Sequence, residues 1–446
     1  MNIPRPIPTA APPWKFPTPE RFTIGDHGLS AMAYHVPGQH ILSLTLGIPL
    51  PISYEPRHVE GVARILADAL TEGAGQLDTT AFTRAAERLG AVIRVMAGER
   101  SITCDVQVAA RNIAPAVDLL RSCLQEPILA QKEIDLIVRQ TIADLEAARA
   151  HPGQRAAEHF AALMFDPNDR LARPYPGTIE TISAITREDI HAYYQALGPS
   201  GSAVAIAGDL CGIDVPEILT NAFGSWADGP ARPQHVEPPG AYAPDWSRTV
   251  IVDRPGALQS EIRIGCPGPG RSVEGGWAPY PVLGYLMGGT TTSRLDAELR
   301  EKRGYTYGIR AGFTPRDRGG IFQVNGAVRS EVTAAAIDCA LDILNNAAHT
   351  FTAAETATGV DYLVKTAPGD YTIADNIADE AIAKFLAGSD TDEITRVLAD
   401  MASMTPERLN DAWSRYIHGK WGIVIVGQAD QFADTLRAAG HNITIV

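Results

Sequence analysis

The chain repeats itself once, with a period near 218 residues. A period of that length confines the fold to two copies of one domain-sized unit. Pro37-Gly38 is followed by Gly47 and Pro49, and Pro255-Gly256 is followed at the same distances by Gly265 and Pro267. Between these landmarks HILSLTLGI and LQSEIRIGC read as strands, each stopped by its Gly-x-Pro break. Further on, Val106 aligns with Val324 and Ala109 with Ala327. Thr186 and Thr405 align as helix N-caps, Asp189 completing a capping-box pattern and Pro406 taking the first helical position. Each half closes on a buried-strand run ending in glycine, Gly208 and Gly427.

Strand runs and helix runs are grouped within each half, which predicts an α+β fold of two homologous sheet-plus-helices domains. The boundaries read as a Pro-rich N-terminal arm at 1–20, an N-terminal domain at 21–228, an exposed Pro-rich connector at 229–246 and a C-terminal domain at 247–446. In the segment from Glu133 to Ala150, Ile134, Ile137, Val138, Ile142 and Leu145 fall at helical spacing.

Charge narrows the function. Asp plus Glu total 52 against 38 Lys plus Arg, a formal charge of −14. Such a surface repels phosphate backbones and anionic lipid, so neither nucleic acid nor membrane is expected as a partner. No apolar run is long enough to span a bilayer. The five cysteines (Cys104, Cys123, Cys211, Cys266, Cys339) are scattered and odd in number, which disfavours a zinc ribbon or a disulfide framework. The arm, with five prolines by position 13, has no apolar core of a secretion signal. A cytoplasmic location is expected.

The stretch Ser293 to Gly308, SRLDAELREKRGYTYG, resembles the second-domain signature of the insulinase-like (inverzincin) metallopeptidases, in the branch with processing-peptidase-sized subunits. Pro176-Gly177-Thr178 and the AIAGD run at Ala205–Asp209 add to the likeness. The resemblance implies that the two domains form half of a clamshell. A homologous subunit closes it around a chamber that admits unfolded peptides. It also implies zinc chemistry through an H-x-x-E-H helix in the first domain, with two histidines on one helix face and a glutamate that activates water.

In this chain the corresponding helix is GVARILADAL, from Gly61 to Leu70. Arg64 and Asp68 stand at the two histidine positions and Ala67 at the glutamate position. Arginine cannot surrender its proton to a metal, and alanine cannot accept one. No histidine elsewhere restores the motif: His35 and His40, five apart in an extended stretch, are expected on opposite faces. Asp144 and Glu146 stand near the usual third-ligand place. Arg64 and Asp68 are spaced for an i,i+4 ion pair in the vestigial pocket, or else both point to solvent. No metal or cofactor is assigned to this chain; zinc is expected in the partner.

The second domain keeps what the first has lost. By resemblance, Arg300 grips a substrate carbonyl and Tyr307 donates its hydroxyl to the scissile carbonyl or its oxyanion, in trans to the partner's zinc. Read without the family, Arg300 caps its own helix end and Tyr307 packs in a strand. Thr292 or Ser293 can cap the helix that carries Arg300, and Gly304 suits its C-terminal end. Gly288, Gly289 and Thr290 stand where relatives have a glycine-rich substrate loop, or else form a tight turn. Tyr305 is a further cavity candidate. The resulting expectation is a non-catalytic subunit of a heterodimeric zinc peptidase, active only with a partner bearing H-x-x-E-H. A structural core-type subunit and a stand-alone peptide-binding protein of the same fold remain the alternatives.

Overall fold

The computed structural model describes residues 14–446; most of the N-terminal arm, residues 1–13, lies outside the described residues. The first half builds one six-stranded sheet from β1 (Glu20–Ile24), β2 (Leu29–His35), β3 (Ile41–Ile48), β4 (Val92–Ala97), β5 (Ile102–Ala109) and β6 (Ala203–Gly208), in the order β1-β2-β6-β3-β5-β4. The second builds another from β7 (Thr249–Asp253), β8 (Gln259–Gly268), β9 (Thr306–Thr314), β10 (Gly320–Arg329), β11 (Gly422–Gly427) and β12 (Ile443–Ile445), in the order β12-β7-β11-β8-β10-β9. Five strands of each sheet correspond one to one. The sixth does not: β1 comes from the N-terminal side and runs antiparallel to β2, whereas β12 comes from the C-terminus and runs parallel to β7.

Register confirms the repeat. Leu44 faces Ile206 across β3 and β6, and Ile262 faces Ile425 across β8 and β11, at the same 218 and 219 offsets. The pairing of Val106 with Val324 is displaced. Leu44 faces Val106, but its counterpart Ile262 faces Gly326. A slip of two residues leaves every side chain on its original face, so the apolar pattern alone does not reveal it. The helices after β5 and β10, Ile113–Gln125 and Thr333–Asn345, keep the corrected spacing. Thr186 and Thr405 cap their helices as expected, and Thr186 and Asp189 form the full capping box.

Central strands β3 and β6 are buried almost throughout, because both sheet faces are covered. Of the helices, α1 (Val62–Ala69), backed by α2 (Gln131–Arg149), covers one face of the first sheet with its neighbours; α3 (Pro152–Met164) lies on the second sheet, and α4 (Ala374–Leu386) covers the other face of the first. Two of them are exchanged between halves. From the first half, α3 sets Ala156, Phe160, Leu163 and Met164 against Val250, Val252, Val424 and Val426 of the second sheet. From the second half, α4 sets Ile377, Ala378, Ala381 and Ile382 against Met32, Tyr34, Ala203 and Ala205 of the first.

The repeated glycines are explained by this exchange. A Cβ on Gly47 would lie 2.4 Å from Ile382 Cγ2, and one on Gly265 would lie 2.6 Å from Phe160 Cζ. Each glycine is the floor on which the other half's helix rests. The repeated prolines behave differently: β3 ends before Pro49, but β8 runs through Pro267, which faces Ile321. Pairing of β8 with β11 has already stopped at Gly265, so Pro267 has a sheet neighbour on one side only, where a missing N–H is tolerated.

The 229–246 connector is not free. Gly240 and Ala241 donate N–H bonds to Asp169 Oδ2, both at 2.7 Å, and Tyr242 stacks on Phe165. Among the described residues, no helix is long and apolar enough to cross a membrane.

Candidate functional site

Helix α1 is apolar on most of its circumference. Val62, Ala63, Ile65, Leu66, Ala67 and Ala69 are buried, and Arg64 and Asp68 are the two residues that reach its open face. Its N-terminus carries Gly61, which offers no side-chain cap. Glu55 supplies one from outside: its Oε1 accepts the N–H of Gly61 at 3.0 Å and of Ala63 at 3.1 Å. The other Glu55 oxygen takes Arg170 Nε at 2.8 Å, in a pair almost wholly sealed from solvent. Burial raises the Glu55 carboxyl above its ordinary value, with Arg170 opposing. Arg170 spends its remaining donors on the carbonyls of Arg173, Pro174 and Tyr175. Every nitrogen of the guanidinium thus has a partner, and α1 is held rigidly.

On the open face Arg64 lies between two carboxylates. Its Nε is 3.9 Å from Asp68 Oδ2 and a terminal nitrogen is 3.6 Å from Asp144 Oδ2, which comes from α2. Of the two acids near the third-ligand place, Asp144 is the one brought to Arg64. With about a third of Arg64 and half of each aspartate exposed, these contacts contribute on the order of 0–1 kcal/mol. Burial raises the Asp68 carboxyl above its usual range; Arg64 opposes and Asp144 reinforces the rise. Thr71, Glu72 and Gln140 complete a cavity of about 280 Å³.

These groups do not fit zinc. They offer no imidazole, and a permanent cation occupies the place between the carboxylates. Ala67, 1% exposed and packed in the core, presents nothing to a water molecule.

The second-half residues are arranged differently. Residues 294–302 begin as an α-turn, Arg294–Asp296, and widen into a π-turn, Ala297–Lys302, that carries Arg300. Such local widening is frequent at functional sites. Arg300 is 37% exposed, its Nε 3.6 Å from Glu301, and its carbonyl accepts the Gly304 N–H at 3.0 Å. Tyr307 is 92% exposed. An irregularity in the β9–β10 pairing between Thr306 and Ile309 explains why. Thr306 Oγ accepts the Gly308 N–H and donates to the Ala327 carbonyl, closing a bulge from which Tyr307 projects. Tyr305, by contrast, packs against the core of its own half with Arg303 over its ring.

Ser293 sits at the N-cap, but its hydroxyl makes no capping bond and is buried without a partner. The segment is anchored instead by Asp296, which sequence reasoning missed. This buried carboxylate accepts the Ile309 N–H at 2.9 Å and Arg310 at 3.0 Å, fastening the helix that bears Arg300 to the strand that bears Tyr307. Its signal was an acid on the apolar side of the SRLDAEL helix. Gly288 and Gly289 end a helical π-turn, Tyr285–Gly289, rather than forming a loop. A Cβ on Gly288 would fall 2.2 Å from the Ala311 nitrogen, so Gly288 serves close packing on β9; Gly289 is exposed and Thr290 half-buried.

Comparison with known proteins agrees with this architecture. Residues 33–175 match the model of the insulinase family (peptidase family M16), and residues 184–363 match that of the peptidase M16 inactive domain. An uncharacterized zinc protease of Mycobacterium leprae is 24% identical over 285 residues, 63% of each chain. One from Streptomyces coelicolor is 25% identical over 255 residues, 56% of this chain and 55% of its own. A Helicobacter pylori non-peptidase homolog is 23% identical over 250 residues, 56% of each. The matched region thus spans about three fifths of these relatives. Among solved structures, a Pseudomonas fluorescens M16 inactive domain superposes with a TM-score of 0.82 at 21% identity, covering 92% of this chain and 98% of that one. A subunit of complex III from Candida albicans gives 0.77 at 14%, covering 95% and 100%. With two sheet-and-helix domains and both family models matched, the chain belongs to the insulinase (M16) metallopeptidase family as a member of the inactive type.

Proposed function

We propose that this chain is the non-catalytic subunit of a cytoplasmic heterodimeric zinc metallopeptidase. A homologous partner bearing H-x-x-E-H supplies the zinc and the base. This chain closes the chamber and presents Arg300 and Tyr307 to an unfolded peptide held at the partner's site. The arm at 1–20 and the connector at 229–246 flank the two domains that do this.

The observation that carries the reading is Tyr307. A phenol ring left 92% in solvent wastes apolar burial, while Tyr305, two residues away, packs half-buried against the core. A side chain held out by a bulge is suited to meeting something outside the chain. Its hydroxyl can donate to a carbonyl oxygen as negative charge develops there, and Arg300 can fork onto a neighbouring carbonyl. Zinc, bound in the partner, would supply the activated water. The non-peptidase homolog in Helicobacter pylori and the inactive domain in Pseudomonas fluorescens support a member of this family without chemistry of its own.

Co-expression with a homologue carrying H-x-x-E-H tests the reading. The two chains are expected to co-purify at equal stoichiometry and cleave an unstructured peptide, with neither active alone. A stable assembly whose peptide cleavage is indifferent to Arg300→Ala and Tyr307→Phe would favour the core-type scaffold. Peptide capture by this chain alone would favour a stand-alone binding protein.

A further inference from the structure

The expectation that His35 and His40 face opposite ways fails, because the chain between them turns. β2 ends at His35, Gly38 adopts φ +80°, and β3 begins at Ile41. The end of β6 lies alongside, Gly208 paired in parallel with His35. Three backbone-based bonds weld the turn to this strand end, and a fourth folds the strand end on itself. Val36 N–H donates to the Gly208 carbonyl and Asp209 N–H to the Gln39 carbonyl, both at 2.7 Å. Asp209 Oδ2 accepts the Gly38 N–H at 2.9 Å and its Oδ1 the Cys211 N–H at 3.2 Å.

Four metal-ligating side chains surround that weld. His35 Nδ1 is 3.8 Å from Asp209 Oδ1, His40 Nδ1 is 3.9 Å from Asp209 Oδ2, and Cys211 Sγ is 4.0 Å from His35 Nε2. One ligand atom from each of His35, Asp209 and Cys211 lies within 4.8 Å of the other two. Metal–ligand bonds of about 2.0–2.3 Å place the corners of a zinc tetrahedron roughly 3.3–3.8 Å apart. A small contraction, in which the exposed His35 and Cys211 side chains are free to move, closes the difference, while the backbone that carries them is already fixed.

We propose that His35, Asp209 and Cys211 form a surface site for a borderline-soft divalent cation, zinc by the chemistry of its donors, with His40 beside Asp209 at its rim. An imidazole, a thiol and a carboxylate select zinc or cobalt over magnesium and calcium, which take oxygen ligands. The site shares no residue with the Arg64–Asp68–Asp144 pocket.

A nucleophilic role for Cys211 is a poorer reading of the same cluster. The Asp209 carboxylate raises the thiol's pKa, the wrong direction for an activated sulfur. A cation reverses that relationship, since thiolate and carboxylate then share one positive charge. His35 Nδ1 accepts the Leu210 N–H at 3.1 Å, which puts the neutral ring's proton on Nε2. The cation takes the Nδ1 lone pair from that exposed N–H, the ring stays neutral, and the Cys211 thiol gives its proton to solvent.

Cobalt(II) added to the chelator-treated full chain is the test. Stoichiometric binding with a sulfur-to-cobalt charge-transfer band, bleached by one equivalent of zinc, is expected. Cys211→Ser should remove the band, and His35→Ala or Asp209→Asn should each weaken affinity at least about ten-fold. Of the other cysteines, three are buried and Cys339 is half-buried, so the band reports on Cys211. Absence of the band, its survival in Cys211→Ser, or unchanged affinity in His35→Ala overturns the site. Cys211 is exposed, so Cys211→Ser should melt with the parent, and the readout is independent of any peptidase assay.

Discussion

Arg100 Nε stands 2.7 Å from Asp317 Oδ2, joining the tip of the β4–β5 hairpin to the tip of the β9–β10 hairpin. The residues beside them pair in the opposite sense, Glu99 with Arg316 at 3.0 Å. One tip reads acid-base and the other base-acid, so the two hairpins are charge-complementary across the internal repeat. Arg100 also donates to the Leu386 carbonyl at the end of α4, and Arg271 approaches Asp317 at 3.4 Å. The exchanged helix and the hairpin tips thus form one clasp.

Breaking the clasp has a measurable coupling. Arg100→Ala and Asp317→Ala should each destabilise the chain by about 1 kcal/mol, and the double variant by less than their sum. Denaturant melts of the four proteins give the coupling energy. Strict additivity would remove the clasp from the account.

Gly265→Ala and Gly47→Ala should each cost about 1–3 kcal/mol, because the new methyl strikes the Phe322 carbonyl oxygen and Phe160 in the first and Ile382 in the second. Pairing Gly265→Ala with Phe160→Leu should recover part of the loss, as seen in thermal melts.

Asp105 makes stability depend on pH. Burial lifts its carboxyl from 3.8 to about 6, Asp379 and Asp375 add to the rise, and Thr45 and Arg94 oppose it. The folded chain therefore holds a proton that the unfolded chain has already released between about pH 4 and 6. This group's contribution is fully present below about pH 4 and is lost as pH climbs through 6. Asp105→Asn should match the parent near pH 4 and melt higher than it at pH 8. Equal melting temperatures at both values would refute the assignment.

Tyr307→Phe should leave the melting temperature unchanged, since the ring is solvated, and lower turnover of the assembled peptidase by roughly 10²–10³. Parallel melts and single-turnover assays separate the two effects.

In a Cys211→Ser background, Arg64→His with Asp68→His should create zinc binding at α1, with Asp144 as a third ligand. Calorimetric titration should show one site more in the substituted chain than in the Cys211→Ser parent. Failure to bind would mean that α2 does not hold Asp144 in reach.

The repeat was legible because the helix packed on each sheet demands glycine beneath it, at Gly47 and Gly265, and Arg64 and Ala67 were legible as groups that neither ligate a metal nor accept a proton. Other features were not. An amphipathic pattern shows that α3 and α4 each have a face to bury, but not which sheet receives it. The slip between Val106 and Val324 preserved the alternation that sequence reading depends on. His35 and His40 were misplaced because a turn was read as continuous strand. Ser293 looked like a cap, yet Asp296 does the anchoring, through a contact to Ile309 that no local pattern announces.

The exchange of α3 and α4 also bears on synthesis. Gly47 is made early, but the side chain that covers it, Ile382, comes more than three hundred residues later. As the chain leaves the ribosome, the first sheet keeps one apolar face uncovered until almost the whole polypeptide has emerged, while the second sheet finds α3 already made and waiting. The two halves share one architecture but not one history of assembly: the first sheet waits on a helix made long after it, whereas the second has its borrowed helix to hand before its own last strands are made.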